Sequence, residues 1–145
     1  MSGYRRIVFG FFGIVLFFVG CLAPELEQPT SHLLDEHGNF TLFVSNQSAA
    51  ITPVDITIHI DGEMVVNDYF PVKNYHFRKK YKLDLPAGSH VIHAKTLRGG
   101  VEMEKEFHVE GKRWALVGYS YAKHTRHPYP RNLSFTIQNE PILFH

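Results

Sequence analysis

Cysteine is almost missing from this chain: Cys21 is the one thiol among 145 residues. That excludes a disulfide framework and any zinc site built on several thiolates. Charge of one sign is not in large excess either. Lys and Arg total 15 against 14 Asp and Glu, a formal net charge of +1, so the balance does not ask for nucleic acid. There is no Gly-x-Ser-x-Gly elbow, no His-Glu-x-x-His pair and no glycine-rich phosphate loop. Beyond residue 38, no twelve-residue stretch repeats apolar side chains at helical spacing. What is present is a globular balance, 44% hydrophobic and 20% charged, which excludes a wholly disordered chain. Aromatics reach 14%, a richness that favours strands. The length suits one domain with a short appendage.

The longest hydrophobic run lies at the start. Residues 7–19 (IVFGFFGIVLFFV) are apolar or glycine and follow Arg5 and Arg6. A spanning helix needs roughly 20 apolar residues, and Ile7 to Ala23 covers 17. A basic leader, a short apolar core and a small residue before a break predict a secretory signal over residues 1–20. An uncleaved signal anchor is the alternative. Phe18-Val19-Gly20-Cys21 resembles the lipobox of bacterial lipoproteins, with Phe18 where leucine is usual. The resemblance implies that the Cys21 thiol receives a diacylglyceryl group and that the bond before it is cut. It also implies a cell-envelope location, anchored to the membrane by lipid. Leu22, in place of an aspartate that marks inner-membrane retention, leans toward the outer membrane. A thioether also disposes of the free thiol in an oxidising compartment. Removing residues 1–20 deletes two arginines and no acid, so the mature chain carries 13 basic against 14 acidic residues, a net of −1.

Residues 21–38 read as a lipid-anchored flexible tether, with Leu33 and Leu34 able instead to open a short packing turn. From residue 39 to 145 the pattern has period two, the mark of half-buried strands. Val54, Ile56, Ile58 and Ile60 alternate with polar residues, and Asp61-Gly62 follows, a strong two-residue hairpin signal. Lys79 interrupts the apolar face of 77–85, which places that strand's start at an edge. Residues 113–121 carry apolar groups on both faces, as a central strand does. The expected fold is all-β, a single Ig-like antiparallel sandwich of about seven to eight strands. The segment DLPAGSHVIHAKTLRGGVEMEKEFHV resembles a Leu-Pro-x-Gly-x-His hairpin of Ig-like and PEGA-like bacterial surface modules. That implies a fold and no chemistry.

Ten histidines are the oddity of the mature chain. His90 and His93, three apart, face opposite sides of a straight strand. His124 and His127 fall in a loop and could approach one another with His145 as a third group, but surface histidines are the simpler reading, and no metal site is assigned. Glu102, Glu104 and Glu106 form an acidic row, expected to be a solvated face opposite Arg78, Lys80 and Lys82. Residues 122–131 (AKHTRHPYPR) are the most site-like. Lys123, Arg126 and Arg131 supply permanent charge, His124 and His127 are a residue type that gains charge in acid, and Tyr129 stands between two prolines that lower the ordering cost of binding. These six residues form the candidate binding loop. The expected role is non-catalytic: a membrane-held binding or structural module for an envelope protein or an anionic glycan, with no cofactor. An inhibitor or accessory subunit of an envelope enzyme is the alternative, and an enzyme has no positive evidence.

Overall fold

The computed structural model describes residues 26–72 and 77–144. Eight strands follow in chain order: β1 (Phe40–Asn46), β2 (Val54–Ile60), β3 (Glu63–Phe70), β4 (Lys79–Leu83), β5 (Gly88–Thr96), β6 (Val101–Val109), β7 (Arg113–Ala122) and β8 (Tyr129–Gln138). There is no helix among the described residues. The expected signal segment, Cys21 and His145 lie outside them.

Local chemistry sets the turns. Asp61 and Gly62 join β2 to β3 with φ of 51° and 84°, the mirror-image turn whose twist suits a hairpin. The alternation in β2 reads directly as burial: Val54, Ile56, Ile58 and Ile60 are each fully buried. Burying a side chain of this kind stabilises by about 1.5–3 kcal/mol, so one strand's face anchors much of the core.

The strands form two sheets, ordered β4-β1-β7-β8 and β3-β2-β5-β6. They pack face to face over Phe40, Leu42, Val44, Val117 and Tyr119 from the first sheet and the β2 face, Ile92 and Phe107 from the second. Phe40 and Phe107 meet across the core with ring centres 5.5 Å apart. The all-β sandwich is therefore as the pattern predicts, with β4 at an edge and β7 internal. One pair departs from the antiparallel expectation: β1 and β7 run parallel. Parallel neighbours need a long crossover, and here the whole second sheet and β4 supply it.

Two further expectations change. The segment around Leu33 is docked and is not free tether. Leu33 is 8% exposed and belongs to the core. Asp84 N–H donates to Leu33 O at 2.8 Å and Asp35 N–H to Lys82 O at 3.1 Å. Gly38 passes so close that a Cβ there would stand 2.0 Å from Leu83 O. The packing turn thus holds from Ser31 onward, because two leucines have apolar area to bury and β4 offers an unpaired edge. The acidic row of β6 does not pair with Lys80 and Lys82, which belong to the other sheet, nor with Arg78, which precedes β4. Its register partners are Lys95 for Glu102 and His93 for Glu104, and His93 Nε2 lies 3.5 Å from Glu102 Oε2.

Strand direction divides the connections between two ends. At one end lie the Asp61-Gly62 turn, residues 84–87, residues 110–112 and the approach to β1. At the other lie residues 47–53, 71–72, 77–78, 97–100 and 123–128. We call the second the Leu97 end.

Candidate functional site

At the Leu97 end, a buried amide organises the first wall. Asn46 is 3% exposed. Its Nδ2 donates to Ile51 O at 2.8 Å and Phe70 O at 3.0 Å, and its Oδ1 accepts from Ser48 N–H at 2.8 Å. Ser48 Oγ donates to Tyr121 O at 2.7 Å, and Val72 N–H to Thr52 Oγ1 at 2.9 Å. Every buried polar group in this set has a partner, which fixes the loop. The opposite wall is the start of the β7–β8 connection. Between them runs a groove of about 430 Å³, with Ala49 and Val72 on one side and Tyr121, Lys123, His124 and Tyr129 on the other. The small alanines leave room, and the tyrosine rings, ammonium and imidazole give it polar handles.

The six predicted site residues separate here. Lys123, His124 and Tyr129 line the groove. Arg126 and His127 stand exposed on the loop beyond it. Arg131 does not line the groove but stands beside it, its guanidinium 5.2 Å from the centre of the groove-lining Tyr121 ring. It lies over the β5–β6 turn, where a Cβ on Gly100 would meet Arg131 Nη1 at 2.7 Å and where φ of 62° favours glycine. Among the described residues, no group of three or more His, Cys, Asp or Glu is arranged to hold a metal ion.

The turn that Arg131 reaches was not a sequence candidate. Asp55 holds it: its carboxylate accepts from Leu97 N–H at 2.9 Å and Arg98 N–H at 2.8 Å. Thr96 Oγ1 accepts from Gly99 N–H at 2.8 Å. Beneath it, burial pushes the Tyr119 phenol up, against the pull of Arg131, so the hydroxyl stays a neutral donor toward Gly99 O at 3.4 Å. Leu97 is left 75% exposed at the tip.

Charges sort by end. The described connections at the Leu97 end carry Arg78, Arg98, Lys123 and Arg126, with Arg131 beside them, and no Asp or Glu of their own; the one carboxylate on the Leu97 turn is that of Asp55 from β2. Those at the opposite end carry Asp35, Glu36, Asp61, Asp84, Glu110 and Glu140 against Lys112. A near-neutral chain is thus electrically polar along its strands. The loop cations were legible in the sequence. Arg98 joined them only because β5 and β7 end at the same side.

Compared with protein-family models, curated proteins and solved structures, the chain matches none of them.

Proposed function

We propose that this chain is a lipid-anchored envelope protein whose sandwich is a non-catalytic binding module, and that its basic Leu97 end takes an anionic partner. The observation that carries the binding reading is the groove in which Lys123 and His124 stand beside Tyr129, at an end whose described connections hold no acid. An ammonium in such a setting pairs with carboxylate or phosphate, and tyrosine rings add contact area with few torsions to freeze. Pro128 and Pro130 stiffen the loop, which lowers the entropy lost on binding. The anchoring half of the reading is supported by the signal pattern and by Phe18-Val19-Gly20-Cys21. Two or three acyl chains hold a protein stably, where one holds it marginally.

Both halves have a direct test. Metabolic labelling with a fatty acid is expected to mark the wild type and to be lost in Cys21→Ala; label persisting in the variant counts against the anchor. For binding, the mature chain and a Lys123→Ala/Arg126→Ala/Arg131→Ala variant are titrated against acidic components captured from envelope extract, at low and high salt. The variant should bind more weakly and with a flatter salt dependence. Equal affinity and equal salt dependence would reduce the loop to a connection.

A further inference from the structure

We infer that the anionic partner of the Leu97 end is the lipid surface that holds the chain, with the cations of Arg98, Lys123, Arg126 and Arg131 over anionic headgroups and Leu97 dipped among them. The inference rests on the reading that Cys21 carries lipid.

The path of the chain is the first support. Asn67 Nδ2 donates to Glu27 O at 2.8 Å. Farther on, Ser31 Oγ donates to Glu63 Oε2 at 2.6 Å, and His32 Nδ1 lies 3.0 Å from the same oxygen. Residues 27–32 therefore run alongside β3 in the opposite direction to it. Followed backward from Glu27, this line points toward Phe70 and the Leu97 end. Cys21 and Glu27 are six positions apart, a reach of roughly 20 Å at full extension. Asn67 is three positions from the end of β3, about 10 Å. A lipid on Cys21 is thus within reach of the plane of the Leu97 end, the side from which the described chain arrives at Glu27.

Charge is the second support. The Leu97 end carries the four permanent cations named above, together with Arg78 before β4, against the Asp55 carboxylate at the Leu97 turn, and each cation is attracted to anionic headgroups within a Debye length. The acids at the far end are repelled from the same surface, so the field sets orientation as well as attraction. The third support is Leu97, 75% exposed beside Arg98. A lone exposed leucine is ordinary. At the tip of a turn braced by Asp55, among cations and on the anchor side, it is placed to enter the interface. A tether this short also keeps the surface at high effective concentration, so a weak contact suffices.

The test uses the lipidated full chain in vesicles of phosphatidylglycerol and phosphatidylethanolamine, one to three. An environment-sensitive fluorophore is placed on Leu97→Cys, and in a second sample on Lys112→Cys, an exposed position in the β6–β7 turn at the opposite end. The Leu97 probe is expected to shift to the blue and to be quenched by nitroxide-bearing lipid, while the Lys112 probe stays in water. In phosphatidylcholine vesicles, or after replacing the four cations by Ala, the docked-to-undocked ratio should fall by roughly several hundred-fold if each acts like a juxtamembrane lysine. A Leu97 probe in water on a fatty-acid-labelled chain overturns the inference and leaves the anchor standing. Absence of fatty-acid label from the wild type overturns both. Equal protection in neutral vesicles overturns the electrostatic contact. Protection of Leu97 by soluble polygalacturonate but not by vesicles gives this end to a glycan and overturns it too.

Discussion

His90 makes the stability of this domain depend on pH with a sign that can be worked out. The side chain is 7% exposed, packed on Phe107 with ring centres 5.5 Å apart. Its Nδ1 lies 2.6 Å from Asp61 Oδ2 and its Nε2 lies 2.7 Å from Pro86 O. A carboxylate and a carbonyl accept only, so both ring nitrogens must donate, and the ring is an imidazolium. Burial by itself pushes the imidazole down, but the Asp61 carboxylate and the Pro86 carbonyl outweigh it and hold His90 above the ordinary value. For Asp61, burial acts upward, yet the bonds from His90 and Val91 N–H hold its carboxyl below the usual range. A histidine raised on folding contributes its full stability below the unfolded value, about 6.5, and loses it as pH rises through the folded value. The depressed Asp61 contributes above about pH 4 and loses it as pH falls through its folded value. The pair is therefore strongest between those limits and fails on the alkaline side first in any neutral working range. Deprotonation leaves one ring nitrogen without a proton to donate, a lost charge-assisted bond of about 1.5–3 kcal/mol. Because the Asp61 side chain is 44% exposed, water screens and replaces part of this, and about 1–2 kcal/mol is the expected loss. The assay is the urea midpoint at pH 5.5 and pH 9 for wild type and Asp61→Asn. Asparagine tolerates the positive φ at position 61 but cannot stabilise the imidazolium as a charge. The wild type should lose roughly 0.5–1 M more than the variant between the two pH values. Taking the difference cancels the other histidines. Parallel pH curves for the two proteins would refute the argument.

Two stability predictions test the architecture. Ile58→Asp places a carboxylate at a fully buried position in the middle of the core face, and should cost several kcal/mol out of a total of about 5–15; a soluble variant with an unchanged melting temperature would show that this face is not core. Asn46→Ala strips donors from Ile51 O and Phe70 O and the acceptor from Ser48 N–H, for a loss of about 2–4 kcal/mol, and hydrogen exchange at Ser48 should rise more than the global change requires if that bond fixes the groove wall.

Much of the candidate site could be read from residues 122–131 because it is local: three cations, two histidines and Tyr129 between prolines within ten positions. What could not be read is which of them share a surface. Lys123, His124 and Tyr129 line the groove, while Arg131, two positions farther along β8, reaches over Gly100, a division set by how the β7–β8 pair meets its neighbours across a register shift between Ser120 and Ala122. The other wall is set by Asn46, a polar residue ending a strand, whose three bonds go to residues two to twenty-four positions away. Its role has no signature in sequence, since one asparagine at a strand end is also an ordinary turn former.

The inward faces of the strands and the positions of the turns were determined by the sequence alone. Both are local: side chains alternate along any strand, and Asp61-Gly62 or Gly111 supply positive φ wherever they stand. The same locality shows that His90 and His93 look to opposite sides. Partnership between strands is a different matter. Nothing near Phe40 states that its strand lies parallel to one beginning at Arg113, or that Glu102 faces Lys95 and not the basic strand β4. The docking of Leu33, the ion pair of His90 with Asp61, and the gathering of Arg98 with the β7–β8 loop all follow from that choice. It belongs to the tertiary structure, because β strands satisfy their backbone donors and acceptors only with partners distant in the chain, and the winning arrangement is the one that lets two apolar faces bury each other at once.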